Sequence, residues 1–286
     1  MPELPEVETV RRDLEPRLRG RRVVNVAVTH VRSVRRQPHA DFVFALRGRT
    51  ITSVRRHGKF LFAELDGSDA LVAHLRMSGQ LRIASRGDEL IKHTHVVISL
   101  DNGEELRFVD PRTFGEMFVD KLDDDRPVAL RDLGPDAMDP RLSARALHHR
   151  LTAGRRVSTI KAALLDQRAL AGVGNIYADE VLFASGLHPK RPAAFLGLDE
   201  AKVLRSQLRR ILKAAISARG TSFKDEGYVD AYGQLGGYSA RHKVYGRDGQ
   251  PCPRCGTPIE KSVIAQRGTH FCPTCQSIRE VPESSR

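Results

Sequence analysis

Apolar residues at Val7, Val10, Leu14 and Leu18 recur with the period of one helical face over residues 5–19, and Gly20 supplies a stop. Pro16 lies inside that run, where its missing N–H predicts a break, so the opening helix is expected in two pieces. Beyond it the period shortens. β-Branched or alternating runs at 23–28, 50–54, 60–65, 70–75, 95–100, 105–109 and 115–119 predict short strands, punctuated by Asp66-Gly67 and Asp101-Asn102-Gly103. Strands of this kind predict an antiparallel sandwich or barrel. From 120 to 143 the chain turns polar and proline-rich, and a domain boundary is expected there. The acidic run at 123–125 reads as solvated linker rather than as a metal site, since neighbouring carboxylates rarely converge on one ion.

The second half has a helical pattern. Ser158 is expected to cap a helix through Leu170, and Asn175 another that ends near Gly186. Asp199 is expected to cap a third, with Leu204, Leu208, Ile211, Leu212 and Ala215 on one face and Gly220 as its stop. Residues 220–245 are rich in glycine and tyrosine and lack a helical period, which predicts a functional loop or disorder. No repeat of 20–50 residues is visible.

At 286 residues the chain is long enough for two cores. Lys+Arg 47 against Asp+Glu 35 gives a net charge of +12 and a pI near 10.0, a field that attracts polyanions and above all nucleic acid. An anionic membrane is the competing partner, but no apolar run approaches ~18 residues and no signal core follows the N-terminus. A soluble, cytoplasmic protein is expected. All four cysteines fall between 252 and 275, unlike the dispersed framework of a secreted chain.

Three short stretches carry chemistry. Removal of Met1 would leave Pro2 with a free secondary amine, which titrates near ~8 against ~10.4 for lysine and is therefore partly uncharged at neutral pH. Attack on a sugar C1′ would give an iminium ion, and Glu3 and Glu6 lie beside it to pass protons. A proline that simply begins a helix is the plainer reading. Cys252-x2-Cys255-x16-Cys272-x2-Cys275 has four-thiolate zinc spacing with no open coordination position, hence a structural site; a redox dithiol pair is the alternative. Arg267 lies between the two knuckles, either offered to phosphate or merely solvated. Gly172-Val173-Gly174-Asn175 places backbone N–H groups at a helix start, an anion site or an ordinary helical corner.

Taken in order, Pro2-Glu3-Leu4-Pro5-Glu6-Val7-Glu8, His74-Leu75-Arg76-Met77-Ser78-Gly79, Asp110-Pro111-Arg112-Thr113-Phe114-Gly115, the Gly172–Tyr177 elbow and the cysteine quartet resemble the bacterial formamidopyrimidine-DNA glycosylase family over essentially the whole chain. The resemblance implies an α+β protein. It comprises an N-terminal antiparallel β-sandwich with flanking helices over 1–135, a helix-two-turn-helix domain over 142–220, a lesion-capping loop and connector over 221–245, and a β-hairpin zinc finger over 246–286. It implies a monomer holding damaged double-stranded DNA in a basic cleft between lobes, with one structural Zn2+.

The same resemblance implies a bifunctional glycosylase and abasic-site lyase. Pro2 would displace an oxidised purine, Glu3 would protonate the opening sugar and Glu6 would organise proton traffic. Lys59 would assist the chemistry and contact phosphate, and Arg267 would serve the final elimination. Met77, Arg112 and Phe114 would fill the void left by the flipped nucleotide, although without the family Met77 and Phe114 read as core residues. His93, Arg112, Arg156 and Asn175 would clamp phosphates. His74 is expected to be a core or supporting histidine. Thr113 and Arg76 depart from the family pattern, as does the 233–239 stretch, so lesion preference is the open part of this reading. The rival readings are an endonuclease VIII-like enzyme that prefers oxidised pyrimidines and a zinc-ribbon binder that does not cut.

Overall fold

A computed structural model of the protein describes residues 1–154, 158–223 and 227–278; Arg156 lies outside these residues. The chain forms two compact units, one comprising Met1–Asp132 and Ala215–Ser239, the other Leu133–Ala214 and Ala240–Arg286.

The first unit opens on α1 (Leu4–Leu18), one continuous helix rather than two pieces. Pro16 falls in its last turn, so the N–H it lacks removes one hydrogen bond where the helix is about to end. Leu4, Val7, Val10, Leu14 and Leu18 are buried. The strands are β1 (Val23–Val28), β2 (Ile51–His57), β3 (Phe60–Leu65), β4 (Asp69–His74), β5 (Gln80–Ser85), β6 (Thr94–Leu100), β7 (Glu104–Val109), β8 (Glu116–Asp123) and β9 (Arg126–Pro127), with α2 (His39–Leu46) before β2. They form two antiparallel sheets, ordered β1-β6-β7-β5 and β2-β3-β4-β8-β9. Val26, Ile98 and Phe108 of the first sheet, Leu61, Leu71 and Met117 of the second, and the apolar face of α1 share one core. This is the expected sandwich. The acidic run at 123–125 is not linker: Asp123 pairs with Arg126 across the β8–β9 hairpin, and Asp124 takes φ 54 at its tip. β5 and α2 are additions to the elements expected from the sequence. β5 alternates Leu81 and Ile83 with Gln80 and Arg82 but follows a motif loop directly, and α2 leaves Phe44 88 % exposed, which blurs its apolar face.

The second unit holds α3 (Ala144–Thr152), α4 (Ile160–Leu165), α5 (Asn175–Ser185), most of α6 (Leu198–Ser217), and a hairpin of β10 (Glu260–Ile264) and β11 (Arg267–Phe271). The helix starts differ from expectation. Thr159, not Ser158, caps α4 by accepting from Ala162 N–H, and α4 stops at Leu165 instead of Leu170. Gly174 caps α5, which frees the Asn175 side chain for another partner, and α5 ends as expected at a left-handed Gly186. At the α6 start, Glu200 accepts from Gly197 N–H at 2.8 Å, so the helix begins before Asp199. Residues 215–223 and 227–239 pack with the first unit, whereas the expected divisions lie at 220 and 245.

Candidate active site and nucleic-acid interface

The N-terminal carboxylates hold each other through the helix start. Glu3 is the N-cap of α1 and accepts from Glu6 N–H, while Glu6 Oε2 accepts from Glu3 N–H at 2.8 Å. Pro5 stands in the first turn, where an N–H would have no helical partner. Pro2 is buried, and Glu3 and Glu6 are 2 % and 1 % exposed. The partial positive charge of the helix start favours both carboxylates.

Glu6 also reaches the long loop after α6, where its Oε1 accepts from Thr221 N–H at 2.8 Å. Gly220 sits there at φ +83, and a Cβ would lie 2.9 Å from the Glu6 side chain, so both conformation and space call for glycine. Farther along α1, Asp13 accepts from Arg219 Nη2 at 2.6 Å, and the same guanidinium reaches Asp230 at 2.5 Å. Asp230 in turn accepts from the N–H groups of Tyr232 and Gln234. The loop is therefore fastened to the helix that follows Pro2.

Lys59 is 7 % exposed and follows Gly58 in the two-residue turn between β2 and β3. Arg56 donates to the Gly58 carbonyl at 2.9 Å and to Glu8 Oε2 at 3.2 Å, which ties this turn to α1. Burial raises the Glu8 pKa, but hydrogen bonds and charge from Arg11, Arg56 and Arg12 outweigh it and hold the carboxyl at about 2. Across β3–β4, Phe60 pairs with His74, whose ring stacks edge-on at 4.4 Å. His74 Nδ1 accepts from Arg76 N–H at 2.9 Å, so the ring is neutral there, and burial and then the charges of Arg76, Lys59 and Arg36 lower its pKa to about 3. It is the supporting histidine expected.

Acid sensitivity follows. The unfolded imidazole binds a proton near 6.5, whereas the folded one resists until about 3. Protons thus favour the unfolded chain in that window, by up to ~1.4 kcal/mol for each pH unit crossed. Glu8 acts with the same sign below 4.5, since its folded pKa is depressed. Denaturant melts should show stability falling as pH drops from 6.5 toward 3, and His74→Gln should flatten the upper part of that slope. An unchanged slope in this variant would exclude His74 as the source.

Met77, Arg112, Phe114 and His93 lie on adjoining loops at one end of the two sheets. Met77 and Phe114 are 38 % and 47 % exposed, so the core reading of them fails, and the Arg112 guanidinium lies 4.9 Å from the Phe114 ring centre. His93 is exposed. Asp110, fully buried, joins these loops: it accepts from Ser78 Oγ at 2.5 Å, Gly115 N–H at 2.7 Å and Arg112 N–H at 3.3 Å. Its own N–H donates to the His93 carbonyl at 3.0 Å. Arg76, His93 and Thr113 all take left-handed φ values of 53, 68 and 54, a conformation that costs non-glycine residues ~1–3 kcal/mol each and persists only where the surroundings enforce it. Arg76 is also paired with Glu116 at 2.8 Å.

In the second unit, Asn175 and Arg267 are brought together through Gly268. Asn175 Nδ2 donates to the Gly268 carbonyl at 2.9 Å, and Arg267 precedes it, exposed, at the start of β11. Lys161 reaches the same carbonyl at 3.1 Å and Thr269 Oγ1 at 2.7 Å, and its ammonium pairs with Asp179 at 2.7 Å with both side chains fully buried. Asp179 also accepts from His270 N–H at 2.8 Å. Helices α4 and α5 therefore grip the hairpin by a desolvated ion pair, whose rupture by loss of one partner costs ~3–5 kcal/mol. Neither residue was singled out from sequence, although a charge inside an apolar helical stretch such as Ile160-Lys161-Ala162-Ala163 is the available signal.

Comparison with known proteins assigns these segments to one family. Residues 1–117 match the formamidopyrimidine-DNA glycosylase N-terminal domain, 133–226 that family's H2TH domain, and 249–278 the zinc finger found in FPG and IleRS. The chain belongs to the formamidopyrimidine-DNA glycosylase family. It is 48 % identical over 262 residues to the formamidopyrimidine-DNA glycosylase of Moorella thermoacetica, covering 91 % of this chain and 94 % of that protein. The Symbiobacterium thermophilum relative is 46 % identical, with 98 % and 90 % covered. Among solved structures, the MutM (Fpg) protein from Thermus thermophilus is similar with TM-score 0.85 and 42 % identity, covering 98 % of this chain and 100 % of that one. A Lactococcus lactis Fpg mutant in complex with Fapy-dG containing DNA gives TM-score 0.88 at 34 % identity, with 96 % and 100 % covered.

The zinc-finger match of this glycosylase family member falls on the cysteine cluster. The four Sγ atoms all lie within 4.8 Å of one another, with Cys252–Cys275 at 3.9 Å and Cys255–Cys272 at 3.5 Å. A tetrahedron with ~2.3 Å arms has edges of ~3.8 Å, so the quartet fits one structural zinc. Arg254 N–H, two residues on, points at the Cys252 sulfur, and Cys275 N–H, three residues on, points at the Cys272 sulfur, so each knuckle turns a backbone N–H toward a thiolate. Among the described residues no other cluster of metal-ligating side chains is this tight, and no helix is long and apolar enough to cross a membrane.

Proposed function

We propose that Pro2, once Met1 is removed, is the nucleophile of a bifunctional enzyme that excises oxidised purines from duplex DNA and then cuts the strand. Family membership makes the chain a DNA glycosylase of base-excision repair. The Pro2 nitrogen attacks C1′, the damaged base leaves, and opening of the sugar ring gives an iminium ion. Glu3 protonates the ring oxygen as it opens, and Glu6, held by Glu3 and Thr221, fixes the position of that acid. Loss of the 3′ and then the 5′ phosphate follows from the iminium as electron sink, with Lys59 and Arg267 beside the departing phosphates. Asn175 and His93 hold the backbone. Met77, Arg112 and Phe114 occupy the vacated stack, a role suited to apolar and cationic side chains exposed on short loops.

The observation that carries this reading is the buried Pro2 set directly against the reciprocal Glu3–Glu6 cap. The enzyme acts as a monomer on DNA of the bacterial cytoplasm. Borohydride added during reaction with an 8-oxoguanine duplex should trap a covalent complex through the N-terminal peptide. Trapping through an internal lysine would overturn the assignment. Solved Lactococcus lactis complexes hold Fapy-dG containing DNA and, separately, DNA containing an oxidised pyrimidine, so the same experiment is run with both lesion classes.

A further inference from the structure

We infer that Asp110 is a positioning residue: its carboxylate locks the loop carrying Met77 to the loop carrying Arg112 and Phe114, its backbone bonds the segment carrying His93, and together these bonds set the shape of the group that enters the DNA stack. The inference rests on the stack-filling reading of Met77, Arg112 and Phe114 given above.

A buried carboxylate is costly unless its oxygens are well satisfied. Asp110 is 0 % exposed, and the groups it accepts from lie on two separate loops. Ser78, next to Met77, donates to Oδ1 across a sequence separation of 32 residues. Arg112 N–H shares that oxygen, and Gly115 N–H, next to Phe114, takes Oδ2. The backbone of Asp110 engages the third segment, through its N–H to the His93 carbonyl and through its carbonyl, which accepts from His95 Nε2 at 2.9 Å. His95 sits where the β6–β7 register shifts between Thr94 and Val96, which places it beside this carbonyl. Gly115 leaves no slack, since a Cβ there would lie 2.6 Å from the Phe108 ring and 3.0 Å from Asp110 Oδ2.

An ordinary turn aspartate bonds only its own loop. Here the same carboxylate fixes the spacing between Met77 on one loop and Arg112 and Phe114 on the other. The left-handed Arg76, His93 and Thr113 each lie within one residue of a side chain in this set, or belong to it. Such backbones relax when the bonds that enforce them are lost.

The test uses Ser78→Ala, which deletes only the bond between loops, and Asp110→Asn, which replaces one acceptor oxygen by an amide NH2 and so sets a donor against the backbone N–H of Gly115 or Arg112. Each is compared with the parent and with Met77→Ala for strand cleavage at an abasic site, once in a duplex and once in the same oligonucleotide single-stranded. A single strand has no stack to fill, so a merely destabilised protein loses both rates in proportion. Positioning predicts a duplex rate reduced on the order of 10- to 100-fold with the single-strand rate unchanged. Parallel loss of both rates, or loss of neither, while Met77→Ala still lowers the duplex-to-single-strand ratio, would overturn the role of Asp110. A Met77→Ala ratio equal to the parent's would overturn the stack-filling reading beneath it, and the inference with it.

Discussion

Glu3→Gln is expected to lower base excision by about 10²–10⁴-fold, the usual worth of a placed general acid. The substitution is informative because it separates chemistry from fold. Glu3 caps α1 as an acceptor for Glu6 N–H, and a glutamine oxygen can accept the same bond. Its backbone N–H to Glu6 Oε2 needs no side chain at all. What the amide cannot do is donate a carboxyl proton to the ring oxygen of the sugar. Single-turnover excision should therefore collapse while the melting temperature and the affinity for an uncleavable abasic analogue hold. An equal loss of stability would mean that Glu3 is only a cap. Excision within a few-fold of the parent would remove Glu3 from the chemistry.

Zinc removal is expected to abolish DNA binding. Structural zinc contributes an apparent ~10–16 kcal/mol to folding of small thiolate modules near pH 7, far more than the apolar contacts of this one can replace. Its core is Val244, Ile259 and Phe183 packed on Cys252 and Cys272. Arg267, Gly268 and Thr269 stand on the hairpin attached to it, and Lys161 and Asn175 bind that hairpin from α4 and α5. A melted hairpin leaves Lys161 and Asp179 without part of their shell, so the damage spreads into the helices of the second unit. The first unit has its own core, drawn from two sheets and α1, and should stay folded. A metallochromic dye should report one zinc released per chain, with band-shift affinity lost in step. Activity that survives full release would exclude a role for the quartet in DNA binding.

Several parts of the site are legible in the chain because they are local. Each cysteine knuckle and the alternating strands depend on neighbours within a few residues, and these are found in place, with the β10–β11 hairpin spanning the interval between the knuckles. Helix starts are displaced by one residue where a second capping group stands adjacent, as with Thr159 beside Ser158. The acidic run at 123–125 reads as linker in sequence because a hairpin turn and a linker have the same composition.

What the sequence by itself determined was the inventory: which residues can act as nucleophile, acid, thiolate or wedge, and the strands and helices that present them. Only the tertiary structure decided which of these meet. Met77 and Phe114 are apolar, and apolarity alone argues for burial, yet the loops bonded through Asp110 hold them exposed. Glu6 meets Thr221 and Arg219 meets Asp13 across more than two hundred residues, and Lys161 finds Asp179 and Thr269 inside an apolar core. The reason is physical. Periodicity and capping are set by hydrogen bonds a few residues long, whereas a buried charge is tolerable only where distant segments supply its partners, and no local pattern encodes those partners.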